Sequence, residues 1–97
     1  MLPQSHTSIL SINSNRLWDS LMQMAQIGAT AKGGCNRQAL TTLDKQARDL
    51  FVNWCKDIGC EVLVDEIGNI FARRAGKNSA LPAVITGSHL DTQPTGG

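Results

Sequence analysis

Apolar residues recur at three- and four-residue steps in two stretches of the chain, and this spacing predicts two amphipathic helices. Residues 13 to 15, Asn-Ser-Asn, offer capping side chains to the first helix, and Gly28 offers a stop. Thr41 and Asp44 form the capping pattern of a hydroxyl residue followed three places later by an acid, and Gly59 ends the second helix. We expect the second apolar stripe to pack in the core. The stripes consist of Leu17, Trp18, Leu21, Met24 and Ala25 in the first helix and of Leu43, Ala47, Leu50, Phe51, Trp54 and Ile58 in the second.

Beyond the second helix the apolar spacing changes to the period of two that is typical of strands. Residues 60 to 65 alternate, Gly and Asn at 68–69 mark a turn, and residues 70 to 74 make a return strand, which together predict a β-hairpin. Residues 83 to 86, Ala-Val-Ile-Thr, form a short apolar run typical of an inner strand covered on both faces. The stretch from 28 to 40 is rich in glycine and small polar residues and is predicted to be a connecting loop. The element order α, α, β, β, β predicts an α/β fold.

The composition narrows the class of protein. The chain has 97 residues, of which 41% are hydrophobic, so it forms one small domain at most or part of a larger one. Its formal charge of +1 and the lack of a basic block argue against nucleic-acid binding. No apolar stretch approaches the roughly 20 residues that a membrane span needs. Residues 1 to 12, predicted to be a flexible tail, do not resemble a secretory signal, so we expect a cytoplasmic protein without a membrane partner.

The three cysteines predict no disulfide framework, because their number is odd and their spacing irregular. Without a paired Cys-x-x-Cys unit, a structural zinc site is not expected either. Cys55 lies on the apolar stripe of the second helix and Cys60 on an apolar face of the first strand. Buried free thiols are therefore the expected state.

The segment whose side chains are best suited to metal binding or catalysis is His89-Leu90-Asp91, directly after the predicted inner strand. Ligands and catalytic groups gather beyond the carboxyl ends of strands in open α/β sheets. A histidine there can bind a metal through one ring nitrogen, while a carboxylate fixes the other nitrogen. Asp91 suits that task, because side chains two apart in an extended segment point to the same side. The pattern alone is common, so it indicates a metal site only weakly.

Other chemistries fit the same residues less well. Ser88 and His89 suggest a nucleophile and base, but neighbouring strand residues face opposite sides. Asp91-Thr92 resembles the start of an aspartic protease motif, yet Gln93 takes the place of its glycine. The final Gly-Gly resembles the tail of ubiquitin-like modifiers, whose folds begin with a hairpin, whereas two helices come first here.

Two polar residues in the connecting loop leave a further choice open. Asn36 and Arg37 precede the second helix and offer an amide and a guanidinium group. They could face an active cleft, or they could cap and bridge loops. Capping or bridging of loops is the favoured interpretation.

Three stretches resemble, in the right order, a family of zinc-type amidohydrolases that includes aminoacylases and related metallopeptidases. AVITGSHLDTQPTGG is similar to the family's first metal-binding segment. RLWDSLMQMAQIGAT resembles the opening helix, and ALTTLDKQARDLFVNWCKDIGCEVLVDEIGNIFARRAG resembles the helix and hairpin before the metal strand. The closer resemblance is to the carbamoylase branch: N-carbamoyl-L-amino-acid hydrolases, allantoate amidohydrolases and β-ureidopropionases. It extends from residue 13 to residue 97.

The resemblance implies that residues 13 to 97 are the N-terminal part of a di-zinc hydrolase catalytic domain, whose remainder and dimerisation domain are absent. His89 matches the first metal ligand, and Asp91 matches the carboxylate that orients it. The next ligand, an aspartate, would lie beyond Gly97. The family uses two divalent metals, zinc or else manganese, cobalt or nickel.

For the complete protein, the resemblance implies a homodimer that cleaves a small ureido or amide substrate, most closely an N-carbamoyl-L-amino acid, with a metal-activated water. One ligand does not make a catalytic site, so we expect these 97 residues alone to be inactive and to bind no metal firmly. The alternative is a vestigial or subunit-like piece without chemistry of its own. Allantoate amidohydrolase and β-ureidopropionase activities are the alternatives for the complete enzyme.

Overall fold

The computed structural model describes residues 10 to 95. It contains helices α1 (Ser14–Gln26) and α2 (Thr42–Asp57), followed by strands β1 (Glu61–Val64) and β2 (Ile70–Arg73). Both predicted helices and the predicted hairpin are therefore confirmed, as is the α/β class. The tail prediction falls mostly on residues 1 to 9, and the terminal Gly-Gly on residues 96 and 97, all outside the described residues.

Helix α1 begins where its capping residues predict and ends slightly early. The side chain of Asn13 accepts a hydrogen bond of 3.0 Å from the backbone N–H of Arg16. The helix ends at Gln26, two residues before Gly28, which instead lies in the loop with φ +93°. The last turn of α1 contains no basic side chain, and the Met24 carbonyl accepts from the Ile27 N–H at 3.1 Å.

Helix α2 has caps at both ends. Thr41 Oγ1 accepts from the Asp44 N–H at 3.2 Å, and Asp44 Oδ2 accepts from the Leu40 N–H at 3.1 Å, one residue earlier than in a standard capping box. Gly59, with φ +83°, follows the C-terminus, and its N–H donates to the Lys56 carbonyl. The N–H of Cys60 donates to the Cys55 carbonyl at 2.9 Å, which completes a Schellman motif. The predicted boundaries of α2 are confirmed because both depend on neighbouring residues.

The hairpin is held by its ladder and by one carboxylate in its loop. Strands β1 and β2 pair antiparallel, with Val62 opposite Ala72. Asp65 accepts from the Asn69 N–H at 2.8 Å and from the Asn69 Nδ2 at 2.8 Å. It also accepts from the Ile67 N–H at 3.1 Å. These hydrogen bonds, that from the Asn69 side chain foremost, hold the pKa of the Asp65 carboxyl below its ordinary value.

The core lies between α2 and the two strands. Ala47 and Cys55 are buried there, whereas Leu50, Phe51 and Trp54 are half-buried. The expectation that the whole stripe of α2 packs in a core is wrong at its ends. Leu43 is 37% exposed and Ile58 is 70% exposed, because the two-stranded sheet is too narrow to cover the full length of the 16-residue helix.

The predicted inner strand at residues 83 to 86 is not formed. Within residues 10 to 95 the sheet contains only β1 and β2, and the 83–86 segment pairs with neither of them. Val84 is 100% exposed and Ile85 is 82% exposed. The physical reason is that an inner strand needs a partner strand for its N–H and C=O groups, and the described residues supply none beside it.

Much apolar surface of the chain remains uncovered. Leu17, Trp18 and Leu21 on α1 are 48%, 61% and 52% exposed, and only Met24 of that stripe is buried. The radius of gyration is 17.2 Å, compared with about 13 Å for a compact domain of 100 residues. Among the described residues, neither helix has the length and apolarity that crossing a membrane requires. The cytoplasmic location stays a prediction.

The three cysteines are free thiols, as the sequence predicts. Cys55 is buried, and Cys35 and Cys60 are half-buried. Burial, with a smaller contribution from the neighbouring Cys60, raises the pKa of the Cys55 thiol above its ordinary value. Cys55 therefore behaves as a small apolar residue of the core.

Three glycine substitutions separate backbone strain from crowding. Gly28→Ala places a Cβ 2.8 Å from the Asn36 carbonyl oxygen at φ +93°, so we expect the largest loss of stability. Gly59→Ala meets no atom within 4 Å but has φ +83°, so it costs about 1–2 kcal/mol through strain alone. Gly76→Ala meets neither obstacle and serves as the control. Urea unfolding of the three variants should rank them in that order, and equal effects at positions 28 and 76 would contradict it.

The side chain of Asn69 is the main cause of the lowered pKa of Asp65 in the hairpin loop. Since the folded pKa of Asp65 lies below the ordinary value of 3.8, its contribution to stability is full above that pH and is lost as the pH falls through the folded pKa. Asn69→Ala removes the Nδ2 donor, so the Asp65 pKa should rise toward the ordinary value. Carbon-13 titration of the Asp65 carboxyl group measures this shift. An unchanged pKa in the variant would show that the side-chain hydrogen bond is not its main cause.

Candidate functional site

The imidazole of His89 contacts Asp91 in the geometry that the sequence suggests. Nδ1 of His89 lies 3.1 Å from Asp91 Oδ1 and 2.9 Å from the Asp91 carbonyl oxygen. A carbonyl oxygen and an ionised carboxylate only accept hydrogen bonds, so Nδ1 carries the proton in this arrangement. The lone pair of Nε2 is then left for another partner. A metal role for these two residues stays a prediction.

Both side chains lie at the surface of the described structure. The His89 side chain is 78% exposed and that of Asp91 is 45% exposed. Among residues 10 to 95, no group of three or more His, Cys, Asp or Glu side chains is arranged to hold a metal ion. The residues present thus fit one ligand and its orienting carboxylate, and they do not form a closed site.

The nucleophile–base interpretation of Ser88 and His89 finds no geometric support. No hydrogen bond joins these two side chains within the described part of the chain, because His89 Nδ1 contacts Asp91 instead. Ser88 is exposed. The divergence expected for neighbouring residues in extended backbone explains this arrangement.

Arg37 bridges three parts of the chain, which decides the choice that the sequence leaves open. Its side chain is buried, with Arg37 only 5% exposed. Nη1 donates to the Met24 carbonyl at 2.9 Å and to the Ile27 carbonyl at 2.5 Å, both at the end of α1. Nε and Nη2 donate to the Leu90 carbonyl at 3.1 and 2.8 Å. The neighbouring Asn36 also bridges the loop, through its N–H to the Gly28 carbonyl at 2.8 Å.

Thr92 forms hydrogen bonds with the backbone of Arg37. Its N–H donates to the Arg37 carbonyl at 2.8 Å, and its Oγ1 accepts from the Arg37 N–H at 2.8 Å. The Thr92 hydroxyl then donates to the Cys35 carbonyl at 2.7 Å. We call this group the Arg37 cluster; it comprises Arg37, Thr92 and the carbonyl groups of Met24, Ile27, Cys35 and Leu90.

The positive charge of Arg37 lies at the C-terminal end of α1. A helix C-terminus carries partial negative charge on its unpaired carbonyl groups, and α1 has no basic residue of its own in its last turn. Arg37 supplies the missing cation. Its charge has no carboxylate within salt-bridge distance among residues 10 to 95, so carbonyl oxygens balance it.

The roles of Thr92 and of the Leu90 carbonyl have no signature in the sequence. Arg37 and Leu90 are 53 residues apart along the chain, and Arg37 and Thr92 are 55 apart. Backbone carbonyl groups are common to all residues, so no pattern of side chains indicates which of them Arg37 and Thr92 contact. The only available signal is a guanidinium group in a loop where the nearest acidic residue belongs to a helix cap.

The chain is similar to amidohydrolases of bacteria. No protein-family model matches the chain. It is 54% identical over 87 residues to the N-carbamoyl-L-amino-acid amidohydrolase of Rhizobium meliloti, covering 89% of this chain and 21% of that protein. It is 35% identical over 83 residues to the allantoate amidohydrolase of Bacillus subtilis, covering 86% of this chain and 20% of that protein.

Solved structures agree with these relatives. The crystal structure of a hydantoinase/carbamoylase family amidase from Burkholderia vietnamiensis matches with a TM-score of 0.87 and 60% identity, covering 94% of this chain and 22% of that chain. The family amidase from Burkholderia multivorans matches with a TM-score of 0.84 and 59% identity, covering 89% of this chain and 21% of that chain.

The chain is thus homologous to amidohydrolases and matches the start of a carbamoylase domain. Its relatives are hydantoinase/carbamoylase family amidases, which confirms the resemblance read from the sequence. The chain spans about a fifth of the length of the curated relatives and solved structures that it matches.

Zinc titration tests what the described residues hold by themselves. Zinc sites in proteins supply three or four ligands, and the described residues offer one imidazole with its carboxylate, so we expect only weak binding to this chain. Isothermal titration of the chain and of His89→Ala measures it, with His6→Ala as the control for the second imidazole. Submicromolar binding that is lost in His89→Ala would overturn this expectation.

Proposed function

We propose that this chain supplies the first metal-binding segment of a hydrolase that cleaves linear amide or ureido C–N bonds. In this proposal His89 binds the metal through Nε2, and Asp91 orients the ring through Nδ1. The single observation that carries it is the contact of His89 Nδ1 with both acceptor oxygens of Asp91, which directs the proton away from Nε2. Sequence similarity to amidohydrolases along most of the chain supports it.

The proposed substrate is an N-carbamoyl-L-amino acid. Three relatives carry that substrate in their names, at 54%, 35% and 35% identity. The allantoate amidohydrolase of Bacillus subtilis, at 35%, makes allantoate the runner-up substrate. Both substrates present a ureido carbonyl group, so the same class of chemistry serves either one. β-Ureidopropionase activity is a further alternative that the resemblance implies.

The proposed metal is a divalent ion, zinc or else manganese, cobalt or nickel, with two ions in the complete site. Such ions lower the pKa of a bound water and so make it a nucleophile near neutral pH. The chain's own contribution is to present one imidazole in a fixed tautomer. Asp91 holds that tautomer by accepting a hydrogen bond from Nδ1. Dimerisation of the complete protein remains part of the proposal.

A second candidate is a segment without chemistry of its own. The observation that favours it is the lack, among residues 10 to 95, of any group of three metal-ligating side chains. The two candidates differ in one testable respect: only the first requires that His89 be essential once the segment belongs to a complete catalytic domain.

Substitutions at positions 89 and 91, in an enzyme that carries this segment within a complete catalytic domain, test the proposed function. His89→Ala removes a ligand and should abolish hydrolysis of N-carbamoyl-L-amino acids together with binding of one metal. Asp91→Ala leaves the ligand but frees the ring, so metal affinity or rate should fall roughly 10- to 100-fold. Metal content by elemental analysis and kcat/KM measure both effects.

The matched control is Asp19→Ala, which removes an exposed carboxylate on α1 and should leave activity and metal content unchanged. Turnover at the wild-type rate in His89→Ala would contradict the assignment and favour the candidate without chemistry. Equal effects of Asp19→Ala and Asp91→Ala would show that Asp91 has no special part in orienting the ring.

A further inference from the structure

We propose that Arg37 and Thr92 are positioning residues that hold the segment from His89 to Asp91 in the conformation in which the ring reaches its carboxylate. The metal-related meaning of this inference rests on the proposed function, but its geometry is independent of it. Neither residue is placed to touch substrate: Arg37 is 5% exposed, and Thr92 is half-buried. Both act on His89 only through backbone groups of residues 90 to 92.

The first step concerns the peptide group between Leu90 and Asp91. Arg37 donates two hydrogen bonds, from Nε and Nη2, to the single carbonyl oxygen of Leu90. The carbonyl group of one residue and the N–H of the next lie in one plane, so fixing the Leu90 oxygen fixes the orientation of the peptide that leads into Asp91. The guanidinium fork thus sets where the Asp91 backbone begins.

The second step fixes the residue after Asp91. The backbone of Thr92 pairs with Arg37, and the Thr92 hydroxyl links the Arg37 N–H to the Cys35 carbonyl. Asp91 is therefore held on both sides. This matters because both contacts of the His89 ring are to Asp91, one to its carboxylate and one to its own carbonyl oxygen. A rotation of the Asp91 backbone would remove both contacts together.

The third step concerns the anchor. Nη1 of Arg37 contacts the carbonyl groups of Met24 and Ile27, which end a helix of 13 residues. The segment from 83 to 88 is exposed and pairs with neither strand, so it offers His89 no support from that side. The end of α1, through Arg37, is the fixed point to which the His89–Asp91 segment is attached.

Bridging the end of α1 to the Leu90 carbonyl favours arginine over lysine at position 37. The planar guanidinium group presents donors in two directions at once, toward the helix end and toward Leu90. A lysine ammonium is a single point charge and does not span both sets of acceptors with the same geometry. Likewise, the Thr92 hydroxyl donates and accepts at the same time, which a serine reproduces and a valine does not.

The experiment measures the tautomer of His89 in this chain without metal or substrate. Nitrogen-15 chemical shifts of the imidazole distinguish a ring protonated at Nδ1 from one protonated at Nε2, at a pH above the ordinary histidine pKa of about 6.5. The loss of signals in His89→Asn separates them from those of His6. Amide signals of Asp65 and Asn69 report on the hairpin, whose loop is held by hydrogen bonds between these two residues.

Two pairs of variants isolate the cluster. Arg37→Lys has Arg74→Lys as its control, because Arg74 is exposed and has no part in the cluster. Thr92→Val has Thr92→Ser as its control, because serine keeps the hydroxyl. In the wild-type chain and both controls we expect the Nδ1-protonated form to dominate. In Arg37→Lys and Thr92→Val we expect a shift to the exchanging mixture of an unconstrained ring, with the hairpin signals unchanged.

Three results would overturn the proposal. One is an unconstrained ring in the wild-type chain. Another is an unchanged tautomer in Arg37→Lys and Thr92→Val. The third is loss of the hairpin signals together with those of His89 in both variants, which would make the cluster a general element of the fold. Failure here leaves the proposed function standing, whereas wild-type activity of His89→Ala in the complete enzyme would remove the function and leave this positioning intact.

Discussion

A buried guanidinium group balanced by carbonyl oxygens is the interaction on which the placement of α1 against the segment from Leu90 to Thr92 depends. Removing a charge from water is costly unless hydrogen bonds replace its hydration, and here five contacts to four backbone or thiol acceptors do so. The same contacts add a charged donor to the Met24 and Ile27 carbonyl groups at the end of α1, which also accept from the Ile27 N–H and the Cys35 thiol. This side chain therefore joins α1 to the segment that contains His89.

The elements on the two sides of that interaction differ in how well they are packed. Helix α2 and the hairpin pack against each other and carry their own caps and turns. Helix α1 and the segment from 83 to 88 expose much of their apolar surface, with Trp18 at 61% and Val84 at 100%. Surfaces of this kind are typical of regions that other elements of a larger domain cover. The coverage of about a fifth of each relative agrees with that interpretation.

The candidate site combines a prepared geometry with an incomplete ligand set. The ring of His89 already has its carboxylate, and the described residues hold its backbone by hydrogen bonds to Arg37. What the described residues lack is a set of further ligands. In the proposed function, a rigid first ligand limits the loss of conformational freedom when a metal binds, which is the advantage of preorganisation.

The sequence by itself determined the elements whose contacts are local. The N-caps of α1 and α2, the Schellman ending at Gly59 and the hairpin turn all join residues within five positions of each other, and all were predicted. The pairing of His89 with Asp91 belongs to the same class, since the two residues are neighbours in an extended segment. Family resemblance, which rests on the order of motifs, was likewise readable from the residues alone.

Only the tertiary structure decided the rest. The apolar run at 83 to 86 satisfies the pattern of an inner strand, yet a strand forms only where another backbone pairs with it, and none does so within residues 10 to 95. Arg37 could be placed in a bridging loop, but its partners were hidden because they are carbonyl groups 10 to 53 residues away. Every residue carries such a group, so the fold alone selects which ones meet the guanidinium.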